Sequence, residues 1–529
     1  MSYALIWLAS AVVLAVAAIF VRQPGYMDAY YYYHIATNLA SGRGMVESFI
    51  WNYLSPPDSI VHPSNLYWMP LTSLAAVPFM LVLGTSFRAT QVPFVVIGAT
   101  APVLSFYLGR DIFGNRRTAL GMAALTLFSG FYFVYWTAID SFGLFSLLVN
   151  LALIVGYKIA RRLRRGDMLA GASARAVMGL CFGYGALSGG AYLARADGPL
   201  LLFTLPVMVL LVSPRRKVEN SLASVGLMLA GFAVVVAPWL WRNLEVAGVL
   251  LPGGALKTLF LTEYNDFFSY AKELSLSSYL EWGWREIIWS KLQALARNPL
   301  VLFGIEYYLL PFAVVGVWQL RRRLEYWPVF VYGMLLYLVM SLVFSFVSGR
   351  GSMLHSSVVL LPWLAGAAIY GLDACVVWIA RRRRHWNVPL AQRNLTVMMA
   401  LFAFGMSATL FGLDVGGRDA RYSRYNELAS WFAERGEAKA VVMLVDPPAY
   451  YYSSGQPAIV LPSDGPDAAM AAGARYGARF LVLEKLHSRA YEPLYSGEEQ
   501  DERLQLVATL GEAQVYVLPE VSGLGVSEQ

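Results

Sequence analysis

Charge is what this sequence lacks. Of 529 residues only 14% are Asp, Glu, Lys or Arg, where soluble globular proteins carry about 25%. Hydrophobic residues make up 57%. So little charge, with long apolar runs recurring along the chain, excludes an ordinary soluble enzyme and marks a bilayer as the solvent. Cysteine is scarce too. Cys181 and Cys375 both sit inside apolar runs, which excludes a disulfide framework or a zinc site and leaves two small buried hydrophobes. No tandem repeat, low-complexity tract or heptad run is present, and the tail has no phosphate-cradling glycine loop. The first apolar run, residues 3–21, has no basic leader and no small-residue cleavage site before Arg22. It reads as a retained span rather than a removed signal peptide.

The charge that is present is organised. The net charge is +7, but the basic residues line no face of the kind that binds nucleic acid, and no nucleic-acid partner is expected. They fall in short blocks between apolar runs: Arg110, Arg116 and Arg117; Arg161, Arg162, Arg164 and Arg165; Arg215, Arg216 and Lys217; Arg321 to Arg323; Arg381 to Arg384. Cytoplasmic loops look like this under the positive-inside rule. Placing every block inside gives about eleven spans, near 3–20, 91–108, 119–135, 142–160, 177–193, 200–212, 222–241, 300–320, 327–347, 358–380 and 395–413. Residues 66–83 break the parity unless they form a partial, re-entrant or tilted helix facing outside.

The expected protein is thus a multi-pass inner (plasma) membrane protein with a cytoplasmic N-terminus. Its external segments are 22–65, 139–141, 194–198, 242–298, 348–356 and the tail. Residues 1–413 form the membrane module. Residues 414–529 alternate short β-rich runs (440–445, 458–461, 480–483, 505–510, 514–518) with helical stretches such as 467–476, the pattern of a small extracytoplasmic α/β domain.

Unusual polar residues collect on the expected outer face, where ionisable groups at membrane depth usually have a function. Asp28 follows the first span and precedes Tyr30, Tyr31, Tyr32 and Tyr33. An interfacial aromatic belt accounts for the tyrosines. Asp28 is either a helix cap or a general base on a substrate hydroxyl, with Tyr32 beside it as a substrate contact. His62 leads into the partial helix and is otherwise a surface histidine. Asp140 lies in the second outer turn, where it binds a hydroxyl, holds a cation or caps the next helix. Arg195 and Asp197 pair with each other or face a substrate. Lys257 precedes an aromatic run (Phe260, Tyr264, Phe267, Phe268, Tyr270) that reads as an amphipathic surface segment. It snorkels to headgroups or meets a phosphate. Arg350 and His355, in a short hydroxyl-rich break between spans, suit an anionic lipid phosphate.

In this order the segments resemble the polyprenyl- or dolichyl-phosphate-sugar-dependent glycosyltransferases of the C-type membrane fold, near bacterial relatives of protein O-mannosyltransferase and of the aminoarabinose transferase that modifies lipid A. The matching residues are Asp28 within Met27-Asp28-Ala29-Tyr30-Tyr31, His62-Pro63, Asp140 and Arg195-Ala196-Asp197-Gly198. The family form carries an Asp-Glu pair where this chain has Asp28-Ala29.

The resemblance implies a mainly α membrane fold and an inverting hexosyl- or pentosyltransferase. Asp28 would be its base, and Tyr32, His62, Asp140, Arg195, Lys257, Arg350 and His355 its substrate contacts. The implied partners are a polyprenyl-phosphate-sugar donor, a protein, lipid or glycan acceptor, and membrane lipids. No cofactor is required, and a divalent metal between Asp28 and Asp140 is the alternative. That metal belongs to the rival reading, an oligosaccharyltransferase-like enzyme; against it, the tail has no Trp-Trp-Asp-Tyr-Gly run. A lipid-linked sugar transporter or flippase is the other rival, and the sequence shows none of the repeats such carriers usually carry.

Overall fold

The apolar runs fold as helices because a backbone in hydrocarbon must satisfy its own polar groups. The computed structural model describes residues 2–165, 171–212, 218–306, 309–383 and 385–519. Of the basic blocks, Arg215, Arg216, Lys217, Arg384 and the side chain of Arg165 lie outside the described residues. The first half of the chain contributes α1 (Tyr3–Phe20), α2 (Met27–Ala40), α3 (Leu71–Leu83), α4 (Phe87–Phe113), α5 (Arg116–Leu127), α6 (Ser141–Arg165), α7 (Gly171–Ala194), α8 (Leu200–Val212) and α9 (Val218–Ala247). Then follow α10 (Gly253–Lys257), α11 (Leu276–Glu281), α12 (Trp284–Glu306), α13 (Leu310–Leu320), α14 (Trp327–Leu342), α15 (Ser352–Ser356), α16 (Leu361–Ala380) and α17 (Val388–Glu434). The tail adds α18 (Pro447–Ser454), α19 (Pro466–Tyr476) and α20 (Glu492–Ser496).

Among the described residues, eight helices are long and apolar enough to cross a membrane, and three shorter apolar helices accompany them. One of the short ones is α3, at the place of the expected partial helix. The stretch expected as one span at 119–135 is instead α5 followed by a 3-10 turn, Gly130–Thr137, bent by 70°. The bend lets Ser407 Oγ accept the Gly130 N–H at 2.8 Å, and Trp136 Nε1 donates to Ser129 Oγ at 2.8 Å. Within the span expected at 300–320, α12 is described as far as Glu306 and α13 starts at Leu310.

Small residues let the helices close on one another, as apolar packing in lipid requires. Side chains at Gly316 and Gly371 would run into the backbones of Ala367 and Phe312, so α13 and α16 touch along their main chains. At the end of the bundle carrying the basic blocks, Arg161 bridges Asp111 at 2.8 Å and Glu325 at 3.0 Å, while Arg117 pairs with Asp373.

The strands are β1 (Val46–Glu47), β2 (Phe49–Ile50), β3 (His62–Pro63), β4 (Val441–Leu444), β5 (Ala458–Val460), β6 (Ala478–Leu483), β7 (Gln505–Leu510) and β8 (Ala513–Val517). β1 pairs antiparallel with β3. The others form one six-stranded sheet in the order β2-β5-β4-β6-β8-β7. Its β2, β5, β4 and β6 run parallel, and the β7–β8 hairpin completes it antiparallel.

Two features change the expected division at 413/414. The last long helix does not stop there: α17 runs for 47 residues and ends only at Glu434. The tail's sheet also takes its edge strand β2 from the loop after α2. The membrane module and the tail are therefore interlocked through the loop that follows α2, the helix that carries Asp28.

Candidate active site

The chain enters α2 through a strap, Gln23-Pro24-Gly25, that α17 holds in place. Gln23 Nε2 donates to Asp419 Oδ1 at 2.6 Å, Arg418 Nη1 to the Pro24 carbonyl at 2.9 Å, and Arg421 Nη1 to the Gly25 carbonyl at 3.0 Å. Gly25 has φ +95°, a left-handed conformation that L side chains resist. The space a Cβ would need there is filled by the side chain of Arg418. Arg418 is itself buried, paired with Asp414, its guanidinium 5.0 Å from the Tyr26 ring centroid and 5.9 Å from that of Tyr135. Asp28 follows in the first turn of α2, where the N-terminal end of the helix favours an acid.

Asp28 opens on a cavity of about 970 Å³. Tyr32, Arg195, Arg350 and His355 line the same cavity, although α2, the turn after α7 and the α15 segment are far apart in sequence. Arg195 is held by Asp197 at 3.3 Å, Ser141 Oγ at 3.2 Å and Ser352 Oγ at 3.4 Å. The Arg350 guanidinium lies 5.6 Å from the centroid of the Tyr264 ring. The His355 ring meets Phe142 edge-on at 4.6 Å. Leu200, Phe203, Val339, Met340 and Phe344 add apolar side chains to the lining.

Asp140 is buried and off the cavity wall. Its Oδ2 accepts the Tyr26 O–H at 2.5 Å, and its Oδ1 accepts from the Ser141 N–H and, at 2.9 Å, from the Ser141 hydroxyl. Burial, then the charge of Asp140, pushes the Asp28 carboxyl up to about 8, while Arg195 pulls it down. Burial raises Asp140 as well, against the hydrogen bonds from Tyr26 and Ser141. Among the described residues no three or more His, Cys, Asp or Glu gather as metal ligands, and both oxygens of Asp140 are already engaged.

His62 and Lys257 are not on the cavity wall. His62 sits in the β1–β3 pair, bonded to the Ile60 carbonyl at 2.8 Å and 3.5 Å from Glu47. Glu47 in turn accepts the Tyr31 O–H at 2.7 Å, and the same phenol oxygen accepts the Asn65 N–H at 2.7 Å. That buried network supports α2 from behind; burial raises the Glu47 carboxyl to about 8 and lowers His62. The residues flanking Lys257 (Ala255, Leu256, Thr258 and Leu259) line the cavity, and Lys257 does not. The aromatic run after it is no surface helix. Tyr264, Phe267 and Phe268 turn inward onto the cavity, with Phe267 packed on Tyr67 at 5.6 Å.

Of the four tyrosines only Tyr32 faces the cavity; Tyr30 and Tyr33 pack on Tyr452 of the tail. Sequence reasoning missed Arg421, Asp446, Ser463 and Ser488, all on the cavity wall and all from the tail.

The architecture is that of the C-type membrane glycosyltransferases. It is similar to "ArnT from Cupriavidus metallidurans bound to Undecaprenyl phosphate", with TM-score 0.61, 13% identity and 99% of each chain covered, and to the same protein in the apo state, with TM-score 0.59, 13% identity and 98% of each chain covered. The apo oligosaccharyltransferase of Archaeoglobus fulgidus also resembles it, with TM-score 0.54, 11% identity, 90% of this chain and 69% of that chain covered. No family model and no curated protein matches the sequence.

Proposed function

We propose that this protein is an inverting glycosyltransferase that moves a sugar from a polyprenyl phosphate to an acceptor hydroxyl on the extracytoplasmic side of the membrane. The observation that carries the reading is the meeting of the Asp28 carboxylate with the Arg195 and Arg350 guanidinium groups in a cavity also lined by apolar side chains. The similar ArnT structure is bound to undecaprenyl phosphate, a ligand whose charged head and apolar tail match the charged and apolar residues of this lining.

The chemistry follows from the charges. The acceptor oxygen bonds to the anomeric carbon as the bond from that carbon to the phosphate oxygen breaks. The phosphate leaves with the electron pair, and the acceptor proton passes to the Asp28 carboxylate. Arg195 and Arg350 stabilise the charge growing on the phosphate. One such unit-charge pair at 4 Å contributes about 4 kcal/mol at an effective dielectric of 20. Asp140 is a positioning residue: it fixes Tyr26 and its charge raises the basicity of Asp28.

The test is Asp28→Asn in purified protein. The variant is expected to fold and bind undecaprenyl phosphate as the wild type does, with transfer abolished. Full transfer by it would refute the role of Asp28.

A further inference from the structure

The parallel strands of the tail's sheet all end at the cavity. Trp51 follows β2, Asp446 follows β4, Ser463 follows β5 and Ser488 follows β6, and each lines the cavity wall. The carboxyl ends of parallel strands are where open α/β sheets bind ligands. Here that edge shares one cavity with Asp28.

From this arrangement, and resting on the transferase reading above, we infer that the carboxyl-end face of the tail's sheet is the acceptor subsite and that it takes a neutral, hydroxyl-rich sugar. Asp446 is mostly buried, and its Oδ1 caps α18 by accepting the Ala449 N–H at 3.2 Å. Among the described residues no hydrogen bond reaches its other oxygen. Arg421 adds a donor to the same wall, with one nitrogen spent on the Gly25 carbonyl. Ser463 and Ser488 direct their protons away, to the carbonyls of Asn265 and Ser463, which leaves their oxygens as acceptors.

A wall with an open carboxyl oxygen, a guanidinium and hydroxyl acceptors matches adjacent sugar hydroxyls, each both donor and acceptor. A peptide bound by strand addition would need an open strand edge, and this wall presents strand ends. Asp446 and Asp28 line the same cavity.

The test uses the full chain in nanodiscs and saturation-transfer NMR with maltose, cellobiose and lactose as probes, with undecaprenyl phosphate binding measured in parallel. At least one disaccharide is expected to receive saturation from the wild type. Asp446→Asn keeps the α18 cap, since Asn caps as well as Asp, and should weaken sugar binding about tenfold. Leu486→Trp, at an exposed position on the rim, should block it. Neither change should alter undecaprenyl phosphate binding. Disaccharides that fail to bind a wild type that does bind undecaprenyl phosphate would overturn the subsite alone, as would unchanged sugar binding in both variants. A wild type that does not bind undecaprenyl phosphate would instead bring down the transferase reading beneath it.

Discussion

Gly25→Ala should disable the enzyme without unfolding it. A Cβ at Gly25 would lie 2.6 Å from Arg418 Cγ and 2.9 Å from its Nε, so Arg418 must leave its slot. Holding alanine at positive φ costs about 1–2 kcal/mol. Losing the charged hydrogen bond from Arg418 to the Pro24 carbonyl costs about 1.5–3 kcal/mol, and the contacts with Tyr26 and Tyr135 weaken with it. The total, about 3–5 kcal/mol, shifts the balance between held and released strap by two orders of magnitude or more. Asp28 starts three residues later, and a displacement of about 1 Å in a reacting group costs about 100-fold in rate.

The predicted result is thus a kcat about 100-fold lower, with donor KM nearly unchanged because Arg195 and Arg350 stand on other elements. The assay is release of undecaprenyl phosphate from a panel of undecaprenyl-phosphate-linked pentoses and hexoses by protein in nanodiscs, with melting temperature as the control. Arg418→Gln should resemble Gly25→Ala, and the double variant should lose far less than the product of the single losses. A Gly25→Ala enzyme within twofold of wild type, or losses that multiply, would show that the strap does not position Asp28.

Other expectations follow from the same geometry. Because Asp28 must be ionised to take a proton, kcat/KM should rise with pH through its raised value of about 8; Asp140→Asn, which removes a neighbouring charge, should move the inflection to lower pH, and a flat profile would contradict the base assignment. Excess chelator should leave transfer unaffected, since both oxygens of Asp140 are engaged; a loss restored by added divalent cation would favour the metal-dependent alternative. Gly316→Leu, pressed against the Ala367 carbonyl, should cost about 1–3 kcal/mol or more and lower the melting temperature, whereas Gly412→Leu, facing open space, should not; equal melting curves would mean that α13 and α16 are not closely packed.

Much of the membrane part was legible because apolar runs have one structural outlet in lipid. The tail's strands were legible from their alternation, each of the five runs falling within two residues of an observed strand's bounds. What was hidden is non-local. Phe49 and Ile50 form a two-residue strand whose partners lie some four hundred positions on, and nothing local announces such a pairing. The division at 413/414 followed the end of the apolar run at 395–413 and the change of composition after it, yet the helix continues through Gly416 and Gly417, which a helix tolerates at modest cost when the flanking turns are held. Here Arg418 and Tyr425, both just beyond the expected boundary, are buried anchors. In the site, Asp28, Arg195, Arg350 and His355 stood out as ionisable groups beside spans, and they share one wall. Lys257 and His62 stood out for the same reason, but a helix turn and a strand pair aim them elsewhere. Asp446 sits among ordinary polar tail residues, and only the sheet's topology brings it to the cavity.

The unbroken run of α17 has a mechanical consequence. Its 47 residues extend about 70 Å at 1.5 Å each, more than twice the roughly 30 Å of hydrocarbon a span must cross. The half beyond the apolar stretch is a stiff lever leading into the tail, whose residues line the cavity. A change of about 5° in the tilt of the embedded half would swing the far tip by about 3 Å over the projecting half, enough to shift that part of the cavity wall. Bilayer thickness could thereby set how readily the chamber empties.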